Sequence, residues 1–179
     1  MPIDLTRTIR GALAGALASG VWAAQMPADK RVFGVDFDDV ELLGKAFTRG
    51  PAWRTIGLAI HVQNGALFGA VYANLAPVVP VPSWALGPLA GLLENFATWP
   101  LLAVSERIHP ARDELPRVAG TARGLAQATW RHVLFGVVLG ELERRLNAGS
   151  DDEPEPWAHL VSNNGHGNIE HAVSLLQLR

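Results

Sequence analysis

The pattern H-x-x-x-G-x-x-x-G occurs twice in this chain, each time inside an apolar run, and it narrows what the chain can fold into. The first copy is His61-Val-Gln-Asn-Gly65-Ala-Leu-Phe-Gly69 and the second is His132-Val-Leu-Phe-Gly136-Val-Val-Leu-Gly140. Four-residue spacing puts the histidine and both glycines on one stripe of a helix. A stripe without side chains lets a neighbouring backbone approach closely, which is how helices associate when surrounded by lipid. The pattern therefore predicts a membrane unit used twice.

The distribution of charge agrees with that expectation better than the average hydropathy does. A mean hydropathy of +0.15 is modest for a membrane protein, but much of the apolar content is Ala and Gly, which adds little to the index. Of the 15 Lys and Arg residues, Arg131 alone lies well inside an apolar run, and Glu94 is the main exception among the acids. A soluble helical bundle would instead carry charge along one face of every helix. The chain has no cysteine, so disulfides, thiol catalysis and thiolate metal sites are excluded. A net charge of -2 gives no sign of nucleic-acid binding.

Four segments come close to the length of a membrane span: about Gly11 to Met26, Thr55 to Ala76, Ser83 to Val104 and Ala122 to Leu142. Trp22, Trp53, Trp84 and Trp99 lie in or near their ends, where interfacial aromatics collect. Arg7 and Arg10 followed by the apolar Gly11–Trp22 run also read as a secretory leader, so the first segment has two readings. Between the first two segments, Asp38 and Glu41 form a capping-box pattern, with Val40, Leu43 and Phe47 on one face of the helix that follows. This predicts a short amphipathic helix, either lying on the membrane surface or packed on the bundle end. Residues 148–179 form an acidic linker and a peripheral tail, in which His159, His166 and His171 are weak metal candidates.

The first and third segments also match each other, Gly11-Ala-Leu-Ala-Gly15 against Gly87-Pro-Leu-Ala-Gly91, each followed by a tryptophan, Trp22 and Trp99. The expected fold class is thus all-α: a four-transmembrane-helix bundle over residues 1–147. Its two parallel two-helix repeats cover about 8–76 and 83–145, and the surface helix lies in the first connection. Gly11, Gly15, Gly65, Gly69, Gly87, Gly91, Gly136 and Gly140 are the expected packing positions.

Counting along the segments brings Ser19, His61, Asn64, Glu94, Arg131 and His132 to one depth, roughly 9–15 Å from the face where the first and third segments end. Glu94 is the strongest candidate, because a carboxylate in the bilayer interior is costly and turns towards the bundle interior. Arg131 and one of the histidines are its expected partners. No nucleophile elbow, P-loop, dinucleotide fingerprint or H-E-x-x-H is present. The leading reading is a non-enzymatic membrane protein without a cofactor, a transport or assembly component. Its polar layer around Glu94 orders the bundle or passes protons or a small solute. The alternative is a redox protein holding haem between His61 and His132, or a metal between those two and Glu94. A soluble helical domain is the third reading.

Three elements carry a family resemblance: Gly11-x-x-x-Gly15, Asp39-Val-Glu-Leu-Leu-Gly44, and His61-x-x-x-Gly65-x-x-x-Gly69-x-x-Tyr72. On these the chain resembles the bacterial four-helix inner-membrane proteins of the YagU-like type, over about residues 8 to 145. The resemblance implies a multi-pass protein of the bacterial cytoplasmic membrane with no established reaction, and it carries no catalytic residues over. The lipid bilayer is the partner it implies, and self-association of the chain stays open. Connections one and three hold most of the Lys and Arg, which places them in the cytoplasm and both termini outside.

Overall fold

A computed structural model of the protein describes residues 4–148. They form five α-helices and one 3-10 turn, with no strand among them. The helices are α1 (Leu5–Phe33), α2 (Asp39–Lys45), α3 (Trp53–Leu75), α4 (Ser83–Ile108) and α5 (Ala122–Asn147). The acidic linker and the tail with its three histidines lie outside the described residues, so the expectations for them are not addressed by the fold.

Helix α1 starts where the Asp4 carboxylate accepts the Arg7 backbone N–H at 3.0 Å. It passes through Pro27 and ends at Gly34, whose φ of 65° suits the left-handed closing residue. It therefore runs well past the expected end at Met26. The segment that also reads as a leader is here a bundle helix, buried through Gly11, Ala14, Gly15, Ala18, Ser19, Trp22, Met26 and Asp29.

Asp38 caps α2 as the pattern predicts, accepting the Glu41 N–H at 3.0 Å. Of the two placements expected for this helix, packing on the bundle is the observed one. A Cβ on Gly44 would overlap the Trp53 carbonyl, and one on Gly57 would overlap the Val40 carbonyl. The predicted apolar face is only partly right. Val40 is buried, but the helix ends at Lys45 and Phe47, beyond it, is 74% exposed.

The small-residue stripes form two backbone crossings. A Cβ on Gly15 would strike the Gly65 carbonyl and the Gly69 Cα, and one on Gly11 would strike the Gly69 carbonyl. In the other pair, a Cβ on Gly87 would strike the Gly136 carbonyl and the Gly140 Cα, and one on Gly91 the His132 carbonyl. The repeat is present, but its register differs from the one expected. Gly87 meets the partner atoms equivalent to those Gly15 meets, so Gly87 corresponds to Gly15 rather than to Gly11. Gly91 then corresponds to Ser19, and Glu94 to Trp22. The Trp22–Trp99 match, one residue out of step in the sequence, does not mark equivalent positions.

Large apolar side chains lie on the outer faces as well as in an apolar core of Trp22, Met26, Val40, Tyr72, Phe135 and Leu139. Leu5, Ile9, Leu13, Leu17 and Val21, at four-residue steps along α1, are 41–70% exposed, and Leu93, Phe96, Leu101 and Val104 of α4 also face outward. The largest fully buried side chains are Arg131, Leu139, Gln127, Asn95 and Ser19. Of the four expected spans, one segment among the described residues, Trp53–Val78, is long and apolar enough by composition to cross a membrane.

One end of the bundle carries a charged layer. Lys45 of α2 pairs with Glu41 at 2.6 Å and with Glu114 at 2.7 Å, and Arg49 pairs with Asp113 at 2.8 Å. The Lys45 ammonium is held above its ordinary pKa by the Glu114 carboxylate first and Glu41 second. His109 donates from Nε2 to the Leu42 carbonyl at 2.9 Å, while its Nδ1 accepts from the Ala111 N–H at 3.1 Å, so this buried ring is the neutral Nε2–H form. These bonds tie α2 to the connection between α4 and α5.

Candidate functional site

Beneath that layer lies a cavity of about 390 Å³, with walls from α1, α3, α4 and α5 and a roof of Phe37, Asp39, Leu42 and Leu43. Five of the six residues placed at one depth by the sequence, Ser19, His61, Asn64, Glu94 and His132, line it. The sixth, Arg131, does not.

Glu94 meets His132: its Oε2 is 2.5 Å from the imidazole Nε2. The other ring nitrogen, Nδ1, is 2.7 Å from the Ala128 carbonyl, which can only accept, so Nδ1 carries a hydrogen. One further proton must then lie between Nε2 and the carboxylate. The pair is either an imidazolium with a carboxylate or a neutral imidazole with a carboxylic acid. The Glu94 side chain is 38% exposed, so this proton sits at the edge of the cavity and not in a sealed core.

His61 is the counterpart of His132 in the first repeat, and where Glu94 would stand it has Trp22. The indole lies edge-on to both imidazoles, with centroids 5.3 Å from His61 and 4.7 Å from His132. His61 is 8% exposed, and its Nε2 has no hydrogen-bond partner among the described residues. Asn64 is exposed at the rim, whereas Ser19 is 2% exposed at the α1–α3 crossing.

The expected pairing of Glu94 with Arg131 is not what forms. Arg131 gives Nε and Nη2 to the two oxygens of Asp29, both at 2.6 Å, and Nη1 to Asp39 at 2.7 Å. Nη2 also reaches the Phe37 carbonyl at 3.0 Å. Direction around the helix decides the partner: residues 131 and 132 are neighbours in sequence and face different sides of the helix. Asp29 also accepts from Gln25 at 2.6 Å and Gln127 at 2.8 Å, and Asp39 from the Trp22 indole N–H at 3.1 Å. Arg131 and Asp29 are each 1% exposed at their side chains, and all three guanidinium nitrogens and both Asp29 oxygens have hydrogen-bond partners.

Asp29, Asp39, Asn95 and Gln127 are site residues that the sequence pattern does not single out. Two of them have a signal. Asp29 continues the three- and four-residue spacing of the buried α1 stripe beyond Met26, and Gln127 lies one turn before Arg131 on the same face.

The redox alternative finds little support in this geometry. Trp22 stands against both imidazoles, and both nitrogens of His132 are engaged, so the rings do not face each other across an open slot. No group of three His, Cys, Asp or Glu side chains placed to hold a metal occurs among the described residues, so His61, His132 and Glu94 do not assemble as a ligand set. In comparisons with family models, curated proteins and solved structures, the chain matches none.

Proposed function

We propose that the protein is a four-span component of a bacterial cytoplasmic membrane, of the YagU-like kind, with a transport role and no covalent chemistry of its own. The Glu94–His132 pair is its proton-holding element, and the cavity is the route by which protons or a small solute reach it. The observation that carries this reading is the set of large apolar side chains left outward, together with arginine, glutamine, asparagine and serine that are fully buried. In water, so much exposed leucine and valine would be an association surface, whereas lipid covers it without cost. Only 33% of the most apolar stretch of Trp53–Val78 is buried, unlike the core helix of a soluble protein. Helices α1, α4 and α5 carry Asp29, Asn95, Gln127 and Arg131, which are buried and would not meet lipid. In this reading the charged layer with α2 faces the cytoplasm.

Two measurements test the reading. The protein should stay with membranes through an alkaline carbonate wash, and release into the supernatant would overturn the membrane assignment. In liposomes loaded with a pH dye, the wild type should pass protons under an imposed potential faster than protein-free vesicles, and Glu94→Gln should fall to the protein-free rate. Equal flux in the two proteins would remove Glu94 from the route.

A further inference from the structure

We propose that the cavity binds small hydrophobic organic cations, amines or quaternary ammonium ions, and takes up each one in exchange for the proton held between Glu94 and His132. The proposal deepens the transport reading and rests on it for the direction of exchange across a bilayer.

Charge comes first. Among the described residues no lysine or arginine lines the cavity, while two carboxylates, Asp39 and Glu94, do. Asp29 lies behind Asp39, and the single guanidinium of Arg131 serves both of those acids. Three carboxylates therefore face one permanent cation. The proton of the Glu94–His132 pair offsets one of the two negative charges left over, so one net negative charge remains and a ligand anion would meet no free cationic partner. The other titratable groups of the cavity wall are His61 on α3 and Asp39 on α2, and the fixed cation Arg131 is held by Asp29 and Asp39.

Shape and surface come second. Trp22, Phe68, Trp99 and Phe135 bring aromatic rings from four different helices to the wall. Aromatic faces attract a desolvated cation and accept its apolar body.

The exchange balances. The cation moves against the Glu94 Oε2, the hydrogen bond from His132 Nε2 to that oxygen breaks, and one proton leaves to water. His132 remains a neutral imidazole with its Nδ1 hydrogen still on the Ala128 carbonyl. One positive charge enters and one leaves.

The test uses the full chain in detergent, in weakly buffered solution with a pH indicator, and an isosteric pair of probes: benzyltrimethylammonium and neopentylbenzene. The cation should change tryptophan fluorescence saturably and release about one proton per ion bound. Neopentylbenzene should release none and bind at least about ten-fold more weakly. Glu94→Gln should lose about ten-fold or more in cation affinity along with the proton release, and Glu94→Asp should keep both. Absence of cation binding, cation binding without proton release, or equal affinity for the two probes would each overturn the proposal. The probe comparison is made on the wild type, so a Glu94→Gln protein that does not fold leaves it decisive. The carbonate wash reports separately on the membrane assignment.

Discussion

Helix α1 crosses α3 with Gly15 against Gly65 and Gly69, and α4 crosses α5 with Gly87 against Gly136 and Gly140. Around these matching crossings the two halves differ in chemistry. The second half carries Glu94, Asn95, Gln127 and Arg131, and the same positions of the first half hold Trp22, Ala23, Ile56 and Ile60. The first half supplies acids instead, from the far end of α1 and from α2, and these close around Arg131. The glycines set where backbones meet, which needs the same small residues in both halves. The polar residues need only be satisfied somewhere, so each half can lend groups to the other. The comparison also separates two adjacent residues of α5. Arg131 belongs to a closed network with every group matched, and His132 belongs to an open pair at the cavity.

The largest expected effect tests the closed network. Arg131→Met leaves Asp29 buried without its guanidinium, and breaking a buried pair by removing one partner costs about 3–5 kcal/mol. Thermal unfolding in detergent should show a large drop in midpoint. Adding Asp29→Asn and Asp39→Asn should recover much of it, since removing the charges together is far less costly than stranding one. A small effect of Arg131→Met would mean that the network is not the structural element that sets it apart from the open pair.

The next effect tests whether the two crossings are equivalent. Gly15→Ala and Gly87→Ala each drive a methyl into a backbone carbonyl, and overpacking of this kind costs about 1–3 kcal/mol. The two should destabilise alike, because they fill the same place in the two repeats. Gly20→Ala is the contrast within α1: a Cβ there meets nothing within 4 Å, and replacing a helical glycine is worth about 0.5–1 kcal/mol in favour of Ala. If Gly11→Ala, and not Gly15→Ala, matched Gly87→Ala, the repeat register would be the one that the glycine spacing alone predicts.

The sequence is informative about helices and stripes and less so about partners. The paired H-x-x-x-G-x-x-x-G stripes predict the glycine crossings because small residues at helical spacing permit close approach whatever surrounds them. The Asp38 cap, which accepts the Glu41 N–H, is legible for the same local reason. What is not legible depends on rotation around the helix axis. Counting along the segments brings Glu94 and Arg131 to one depth, but His132 is the residue that turns towards Glu94. Glycine spacing alone also cannot fix register in a stripe that repeats every four residues. Gly11 and Gly15 fit the same template, and only the carbonyl contacts decide between them. Asp29 is hidden by the expected end of the first span at Met26, although α1 continues to Phe33.

A smaller effect concerns the layer that roofs the cavity. Burial alone would raise the Asp38 carboxyl, but the Lys30 ammonium at 2.9 Å and the Glu41 amide outweigh it and hold the group below the ordinary carboxylate value. A lowered folded pKa stabilises the fold above the unfolded value, about 3.9, and the benefit fades as pH falls through the folded value. Asp38→Ala should cost about 1 kcal/mol at neutral pH as a lost helix cap. The gap between Asp38→Ala and wild type should narrow in acid below about pH 4. A gap that widened there would show that Asp38 does not act through its charged form. The same variant sharpens the comparison of the two halves, because α2 is, with the far end of α1, one of the two elements through which the first half reaches Arg131.

The smallest stability effect belongs to the residue with the largest proposed functional one. Glu94→Gln removes a carboxylate whose side chain is more than a third exposed, and ion pairs of that kind contribute about 0–1 kcal/mol. Gln offers an amide N–H that can donate to the bare His132 Nε2, so the melting midpoint should stay close to wild type while proton flux and cation exchange are lost. Set beside Arg131→Met, this gives opposite signatures from two charged side chains in one bundle, one lost mainly as fold and the other mainly as function. If Glu94→Gln destabilises the bundle as much as Arg131→Met does, the pair at the cavity is a second structural lock, and the cavity loses the group that would make it a route. The open side of the pair is the reason to expect otherwise. A carboxylate held only to order the bundle would be matched on all sides, as Asp29 is, and Glu94 has one protein partner and a cavity in front of it.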